Sequence, residues 1–370
     1  MRVLVNATAV EDQSSGLGHY VISLMRALSD FPLELIAITP NPELLPDGIQ
    51  AVKSPSWTRS HSTRLRSTPR YIYANTFMRY WLAKFRADVL FSPNHELMLF
   101  PPVPQVVVIH DIIPYFAPEE HRFLGTYYQD YLPKLLSYHV KHIVTVSNST
   151  RDDLIKYFQL PPDKITAIHS GPGATLGYKE LPQDIPRPYI LYVGRLAPYK
   201  NLCNLVLAVG LLQDRFPHHI VIAGVAPPGL NGAVSDILKS AASAGITDRV
   251  KFLGYVPTEQ LGSLYREASL LVLPSLYEGF GFPPLEAMSC GTPVAVSRIP
   301  ALVETVGDAG VYFEPRSPKD IAGAIERLLS DQKLREEMKK RGKERARSFS
   351  WERTAGFMYE VLCNAARRGP

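Results

Sequence analysis

Short apolar runs rich in β-branched residues alternate with helical patterns along most of this chain. The clearest runs cover residues 2–6, 33–39, 88–92, 105–110, 142–147, 189–194, 219–224 and 270–274. Such an alternation predicts βαβ units, in which crossover helices join parallel strands and cover both faces of the sheet. In sheets of this kind ligands bind beside the carboxyl ends of the strands. The residues that directly follow each run are therefore the first candidates for a functional site.

The length of 370 residues exceeds what one hydrophobic core usually holds, which is about 250–300 residues. We expect two doubly wound, Rossmann-like α/β domains that face each other across a cleft. Three prolines between residues 181 and 188 indicate a linker, so we place the domain boundary between residues 184 and 185. The first domain then covers residues 1–184 and the second covers 185–351. A last helix of about 352–370 is expected to pack back on the first domain.

The cysteine content and the hydropathy pattern indicate a cellular compartment. Cys203, Cys290 and Cys363 lack the paired spacing of zinc sites or disulfides. No stretch reaches the ~20 apolar residues of a membrane-spanning helix, and the first residues do not resemble a signal peptide. We therefore expect a cytoplasmic protein. The chain has neither an Asp-x-Asp motif nor a His/Cys cluster, so the sequence predicts no metal site and no cofactor.

Two glutamates flank a loop rich in glycine and proline, which reads Glu278-Gly-Phe-Gly-Phe-Pro-Pro-Leu-Glu286. The prolines and the later Gly291 predict a helix from about Pro284 to Cys290, with Glu286 in its first turn. The two carboxylates are suited to accept hydrogen bonds from sugar hydroxyls, and N–H groups beside the glycines suit a phosphate. Alternatively, Glu286 only complements the helix dipole, and Glu278 is a solvated loop residue.

Two basic residues, Arg195 and Lys200, follow the run at 189–194. A guanidinium offers a planar bidentate fork and an ammonium offers a mobile point charge, so this pair suits a diphosphate. Taken alone, either residue is equally an ordinary surface charge. Because this loop and the Glu278 loop both leave strand carboxyl ends of one predicted domain, we expect them to form a single nucleotide-sugar site.

Four stretches of the sequence resemble the signature of family 4 glycosyltransferases, which are retaining enzymes of the GT-B fold. They are "SLYEGFGFPPLEAMSCGTPV" (275–294), "VGRLAPYKN" (193–201), "VSNSTRDDL" (146–154) and "VGDAGVYFEP" (306–315). The resemblance implies a GT-B fold made of two Rossmann-like domains. It also implies that the first domain binds the acceptor and that the second binds the nucleotide-sugar donor.

The same resemblance implies roles for individual residues. Arg195 and Lys200 would bind the donor diphosphate, Glu278 would contact the donor sugar, and Glu286 would hold the ribose hydroxyls. His110, at the end of the run 105–110, would lie near the reaction centre, although a lone histidine at a strand end is more often structural. The implied catalytic residues are thus His110, Glu278, Arg195 and Lys200, and the donor-binding set adds Gly16, Gly18, Tyr255, Val256, Phe280, Gly281, Phe282, Leu285 and Glu286.

A further prediction concerns Asp111, and the loop with Gly16 and Gly18 departs from the family pattern. Asp111 either orients His110 or caps the turn that follows it. The loop with Gly16 and Gly18 has Ser15 where many family members have another glycine, which puts its detailed shape in doubt. Position 21 is valine, so a G-x-G-x-x-G fingerprint is incomplete and a nicotinamide dehydrogenase is disfavoured.

The predicted activity is retaining transfer of a hexose from a nucleotide diphosphate sugar to a saccharide or lipid-linked saccharide acceptor. UDP-glucose is the favoured donor and GDP-mannose is the second candidate. Surface polysaccharide synthesis is the setting that the resemblance implies. Two alternatives remain open, namely a nucleotide-sugar 2-epimerase and a non-catalytic nucleotide-sugar-binding protein of the same fold.

Positive charge is concentrated between Asp47 and Asp88, where the chain has no acidic residue. This basic interval interleaves eight lysines and arginines with seven aromatic residues, namely Lys53, Arg59, Arg64, Arg66, Arg70, Arg79, Lys84 and Arg86 with Trp57, Tyr71, Tyr73, Phe77, Tyr80, Trp81 and Phe85. Such a pattern favours peripheral contact with an anionic membrane, and the family resemblance implies the inner face of that membrane. Alternatively, it forms a solvated helical face with its aromatics in the core. No nucleic-acid recognition motif accompanies it, so a nucleic-acid partner is not expected.

Overall fold

The computed structural model describes residues 1–10, 16–59, 68–118, 125–173, 177–226 and 232–367. The contacts within the molecule divide the chain into two compact units. The first unit consists of Met1–Gly171 together with Phe349–Pro370, and the second unit is Pro172–Ser348. Each unit is built on its own sheet.

The division between the units lies before the proline-rich segment and not within it. The sequence placed the boundary at 184/185, whereas the contacts change at 171/172. The backbone N–H groups of Gly177 and Lys179 donate to the carbonyls of Thr258 and Glu259 in the second unit. The chain has therefore joined the second unit before it reaches the prolines.

The first unit contains a parallel sheet of seven strands in the described part of the chain, in the order β3-β2-β1-β4-β5-β6-β7. These strands are β1 (Arg2–Asn6), β2 (Glu34–Thr39), β3 (Gln50–Lys53), β4 (Val89–Ser92), β5 (Gln105–Ile109), β6 (His142–Thr145) and β7 (Ile165–Ala167). The central strands β1, β4 and β5 are almost wholly buried, as parallel strands between two helical layers must be. Edge strand β3 is largely exposed and has no apolar run, and for that reason the sequence did not predict it.

Seven α-helices of the first unit lie in the described ranges, and a turn of π-helix at Tyr127–Tyr131 precedes the fifth. They are α1 (Gly16–Leu28), α2 (Thr68–Thr76), α3 (Met78–Phe85), α4 (Ile113–Phe116), α5 (Leu132–His139), α6 (Asn148–Phe158) and α14 (Trp351–Arg367). The last of these, α14, packs on α1 and also contacts β4 and β5. The end of the chain is thus part of the first unit.

Two helices, α2 and α3, cover residues 68–76 and 78–85 of the basic interval. Tyr73, Met78 and Leu82 are buried in one apolar cluster with Leu4 and Ile36 of the sheet. Ala74, Met78 and Leu82 are buried at intervals of four residues, which is the spacing of an amphipathic helix.

The second unit contains a parallel sheet of six strands among the described residues, in the order β10-β9-β8-β11-β12-β13. Its strands are β8 (Tyr189–Val193), β9 (His219–Ala223), β10 (Val250–Gly254), β11 (Leu270–Leu273), β12 (Val294–Ser297) and β13 (Val311–Phe313). Its helices are α7 (Leu202–Gly210), α8 (Gly232–Ser243), α9 (Thr258–Glu267), α10 (Phe282–Cys290), α11 (Pro300–Val306), α12 (Pro318–Ser330) and α13 (Gln332–Ala346). The predicted pair of parallel α/β domains is confirmed. No helix within the described ranges is long and apolar enough to cross a membrane.

Candidate functional site

The strand order of the second unit brings two distant loops together. The chain runs outward from β8 through β9 to β10, and then returns to place β11 on the other side of β8. This reversal leaves the loops after β8 and β11 side by side at the carboxyl edge, which is where doubly wound sheets bind ligands. A backbone hydrogen bond from Leu276 N to Tyr199 O, 2.8 Å long, joins the two loops.

Lys200 and Glu278 meet across this junction. Lys200 ends a short 3₁₀ turn, and its Nζ donates to Oε1 of Glu278 over 2.6 Å. Ser275 Oγ donates to the same oxygen, also at 2.6 Å. Only 13% of the Lys200 side chain and 11% of the Glu278 side chain are exposed. Glu278 is therefore not the solvated loop residue of the alternative interpretation.

Arg195 differs from Lys200 in having its charged group exposed. Its main chain is fixed, because the buried Tyr192 donates its hydroxyl to Arg195 O over 2.7 Å. Its guanidinium has no hydrogen-bond or ion-pair partner among the described residues. Asn201, which sequence reasoning missed, bridges to Pro274 O at 3.0 Å and to Pro315 O at 2.7 Å and so ties the loop to its neighbours.

Glycines at the ends of three neighbouring strands allow close backbone contacts next to Arg195. Gly194 N donates to Ala223 O at 3.0 Å, and Gly224 N donates to Gly254 O at 2.7 Å. A Cβ on Gly224 would lie 1.8 Å from Gly194 O, so no other residue fits without a backbone shift. The sequence analysis did not name Gly224 and Gly254, although a glycine at the end of each of three strands was the signal for them.

Helix α10 begins at Phe282, two residues before the predicted start, with Gly281 as N-cap at a φ of 113°. The two prolines that suggested a later start fit the first turn, since proline needs no helical hydrogen bond there. The prediction that Glu286 lies in the first turn is therefore wrong, because it lies in the second. Compensation of the helix dipole, which is confined to the first turn, does not explain this glutamate.

The apolar members of the predicted donor set are partly core residues. Phe280 and Leu285 are buried, whereas Phe282 is half-buried and its ring lies 5.1 Å from that of Phe280. The carbonyl of Phe280 accepts from Thr305 Oγ1 at 2.6 Å. Phe280 and Leu285 thus have only main-chain groups to offer a ligand.

Glu286 is held by a tyrosine and a glycine of the second unit. Tyr265 OH donates to Oε2 of Glu286 over 2.7 Å. The other carboxylate oxygen lies 1.6 Å from where a Cβ on Gly173 would stand. Burial raises the pKa of Glu286 to about 7, although the hydrogen bond from Tyr265 opposes the rise.

Tyr255 and Val256 follow β10 at the same edge of the sheet. Tyr255 is 54% exposed, and Val256 is half-buried. The structure therefore leaves an accessible aromatic surface at a position that the resemblance implies for donor binding.

His110 belongs to the first unit and directly follows β5. Its Nε2 lies 2.9 Å from the carbonyl of Pro93, and its ring meets that of Tyr20 edge-on at 4.6 Å. Burial lowers the pKa of His110 to about 4, although the bond to Pro93 opposes the fall. Because a carbonyl can only accept, the neutral ring carries its proton on Nε2, and Nδ1 keeps its lone pair.

Asp111 caps the turn after His110, since its Oδ1 accepts from Ile113 N at 2.9 Å. This is one of the two predicted roles. Gly16 and Gly18 lie in the first turn of α1, also in the first unit. Ser14 and Ser15 of the same predicted loop lie outside the described residues. Arg195, Lys200, Glu278 and Glu286 are thus assembled within one unit, and His110, Gly16 and Gly18 are held by the other.

The described part of the chain contains no group of three or more acidic, cysteine or histidine side chains that could together hold a metal ion. Arg195 and Lys200 provide two cations at the carboxyl edge of the second sheet. These cations can bind a phosphate. The neighbouring carboxylates can accept hydrogen bonds from hydroxyl groups.

Comparisons with known proteins bear on the family and the fold. A family model described as "Glycosyltransferase Family 4" matches residues 14–172, and one described as "Glycosyl transferases group 1" matches residues 179–345. The Escherichia coli O-antigen chain mannosyltransferase B is 35% identical over 260 residues, which are 67% of this chain and 67% of that protein. The Salmonella typhimurium O-antigen chain mannosyltransferase RfbU is 27% identical over 88% of this chain and 90% of its own length.

Among solved structures, the Anabaena protein HepE in complex with UDP and glucose superimposes with a TM-score of 0.74. It is 17% identical and covers 98% of this chain and 100% of its own. This likeness shows the fold, which is the GT-B fold of two Rossmann-like α/β domains. The two matched family models and the 35% identical relative establish that this chain belongs to the family 4 glycosyltransferases.

Proposed function

We propose that this protein transfers a hexose, with retention of configuration, from a nucleotide diphosphate sugar to a saccharide acceptor during polysaccharide synthesis. The observation that carries the proposal is the pairing of Lys200 with Glu278 beside the exposed Arg195, at the switch point of the second sheet. Two cations and a carboxylate at this position suit a diphosphate joined to a hydroxyl-rich ring.

In the proposed reaction the bond between the anomeric carbon and the diphosphate oxygen breaks, and a bond to the acceptor hydroxyl oxygen forms on the same face. The proton of that hydroxyl passes to the departing diphosphate. Arg195 and Lys200 stabilise the negative charge that develops on the leaving group, as fixed cations do in a preorganised site. We propose that they do so without a metal ion or another cofactor.

His110 fits a role in binding and not in proton transfer. With a pKa of about 4 its ring is neutral at physiological pH, and its Nε2 proton is engaged by Pro93. Nδ1 is then a hydrogen-bond acceptor suited to a sugar hydroxyl. We propose that this contact orients the transferred sugar.

The names of the relatives bear on the donor. Two of them are mannosyltransferases, and one of these is 35% identical to this chain. The glucose in the HepE complex carries less weight, because that protein is only 17% identical. We therefore infer that the donor is GDP-mannose. UDP-glucose, which the sequence favoured, is the alternative donor in the test.

A thermal-shift panel of GDP-mannose, UDP-glucose, UDP-galactose and UDP-N-acetylglucosamine tests the donor. The expected result is the largest stabilisation by GDP-mannose. The donor that binds is then incubated alone and with a lipid-linked mannosyl acceptor. Release of nucleotide diphosphate that rises with acceptor supports transfer, whereas an epimerised sugar without acceptor supports the 2-epimerase. Binding with neither free sugar nor product supports a non-catalytic binding protein.

The basic interval contributes a smaller charged surface than the sequence suggested. Arg59 hydrogen-bonds to Asn41, and Arg70 forms a buried ion pair with Glu96, so these two charges are engaged inside the first unit. Arg64 and Arg66 lie outside the described residues. The exposed cations are Lys53, Arg79, Lys84 and Arg86.

Apolar side chains are exposed on helices α2 and α3 and at the residue between them. Ile72 and Phe77 are about half exposed, Tyr80 is more so, and Lys84 lies 5.8 Å from the centre of the Tyr80 ring. We propose that this surface makes peripheral contact with anionic lipid, where a lipid-linked acceptor resides, from the cytoplasmic side. Co-sedimentation with phosphatidylglycerol vesicles at low salt, compared with phosphatidylcholine vesicles, tests this. Equal recovery with both lipids, or no loss in a Phe77→Ser/Tyr80→Ser variant, would contradict it.

A further inference from the structure

Tyr265 is the buried tyrosine on α9 whose hydroxyl reaches Glu286 of α10. The main chain at this point is also fixed, because Thr292 Oγ1 donates to Tyr265 O over 2.7 Å. The ring is fully buried, and its hydroxyl donates to Oε2 of Glu286. No sequence motif connects Tyr265 with the donor site.

The second carboxylate oxygen of Glu286 is confined by the backbone. A Cβ at position 173 would overlap this oxygen, so the close approach depends on a glycine there. One oxygen of Glu286 is thus engaged by a hydroxyl and the other is placed against the main chain. This leaves the side chain little rotational freedom.

We propose that Tyr265 is a positioning residue for donor binding, because its hydroxyl, with the backbone at Gly173, holds the Glu286 carboxylate in one orientation towards the ribose hydroxyls. The inference rests on the proposed function, since it takes Glu286 as the group that holds the ribose. Tyr265 itself does not contact the donor. It acts through Glu286.

The bond from Tyr265 also influences the charge of Glu286. Burial raises the pKa of Glu286 to about 7, and the phenol hydrogen bond works in the opposite direction. The other titratable groups near it are Cys290 on the same helix, with Tyr178 and Arg266 beyond that thiol. An ionised carboxylate accepts from two hydroxyls more strongly than a protonated one does. Donor affinity is therefore expected to rise as pH increases through about 7, and loss of the Tyr265 hydroxyl moves that rise to higher pH.

The test is calorimetric titration with GDP-mannose, and with UDP-glucose as a second probe, between about pH 5.5 and 8.5. The diphosphate of a nucleotide sugar is a diester with constant charge in this range, so a change in affinity reports the protein. Tyr265→Phe is compared with Tyr189→Phe, which removes another buried phenol hydrogen bond of the same unit, from Tyr189 OH to Leu264 O at 2.8 Å. Glu286→Gln is the third variant.

Tyr265→Phe is expected to weaken binding at pH 7 by about 10-fold, as loss of a hydrogen bond to a charged group does. The midpoint of its pH profile should lie above that of the wild type. Tyr189→Phe should match the wild type in affinity and midpoint even where its thermal midpoint falls. Glu286→Gln should flatten the profile.

If Glu286→Gln weakens binding but the pH profile of Tyr265→Phe coincides with that of Tyr189→Phe, only the positioning role of Tyr265 is overturned. If Glu286→Gln leaves the affinity unchanged, the assignment of Glu286 to the ribose fails, and the inference fails with it. Loss of the proposed transferase activity as such would appear separately, in the donor and acceptor assay.

Discussion

The ammonium group of Lys200 donates to Oε1 of Glu278 over 2.6 Å, although 78 positions separate the two residues in the sequence. Both side chains are mostly buried, whereas Arg195 in the adjacent part of the same loop is exposed. One of the two cations that we assign to the diphosphate is therefore already compensated in the free protein. The two cations should respond differently to substitution.

Arg195→Ala should weaken the binding of nucleotide diphosphates and leave stability unchanged. A charge-assisted contact contributes about 1.5–3 kcal/mol, which corresponds to a roughly 10- to 150-fold increase in Kd. Calorimetry with GDP and UDP measures the effect. Arg215→Ala is the control, since Arg215 is an exposed arginine of the same unit that is paired with Glu326. Equal affinity of the two variants would remove Arg195 from the site.

Lys200→Ala should reduce both the affinity for nucleotide diphosphates and the stability of the protein. The buried Glu278 loses its counter-ion, and the hydrogen bond from Ser275 remains as its charge-stabilising contact. We expect a loss of about 1–3 kcal/mol in the free energy of unfolding, measured by urea titration. The double variant Lys200→Ala/Glu278→Gln should recover stability and not affinity. Recovery of neither would show that the ion pair does not carry the effect.

His110→Ala should leave the Kd of the nucleotide diphosphate unchanged and lower kcat by roughly 10-fold or more, because it removes a contact to the transferred sugar. Isothermal titration and steady-state kinetics with the donor found in the thermal-shift panel separate the two effects. Loss of nucleotide binding in this variant would point to a structural histidine instead.

The depressed pKa of His110 predicts a loss of stability in acid. Between its ordinary pKa near 6.5 and the folded value of about 4, the unfolded chain takes up a proton that the folded chain does not. The free energy of unfolding should therefore fall as pH drops through this window, by at most about 2 kcal/mol from pH 7 to pH 5. Urea midpoints of the wild type and His110→Gln at the two pH values measure this contribution. An equal fall in both proteins would exclude it.

Gly224→Ala should destabilise the second unit and disturb the loop of Arg195. The added Cβ would lie 1.8 Å from Gly194 O, at a φ of 154°, so the backbone of one loop must move. Gly323→Ala is the matched control, since Gly323 lies within α12 and a Cβ there meets no atom within 4 Å. That control should gain up to about 1 kcal/mol from helix propensity. Similar thermal midpoints for the two variants would contradict the packing argument.

Much of the fold and part of the site follow from local patterns. Apolar runs such as 105–109 and 270–273 are buried parallel strands, and Arg195, Lys200 and Glu278 follow strands at the predicted edge. Where a local pattern was weak, prediction failed. The exposed strand β3 was missed for this reason, and the prolines after Gly281 obscured the true start of α10.

The sequence by itself determined the class of fold and the family, because hydrophobic periodicity and the segment from Glu278 to Glu286 are properties of neighbouring residues. Only the tertiary structure decided which charges are free. It paired Lys200 with Glu278 and Arg70 with Glu96, left Arg195 exposed, and placed Tyr265 against Glu286. The physical reason is that strand order sets which distant segments become neighbours, and the charge and pKa of a side chain depend on those neighbours and not on its place in the chain.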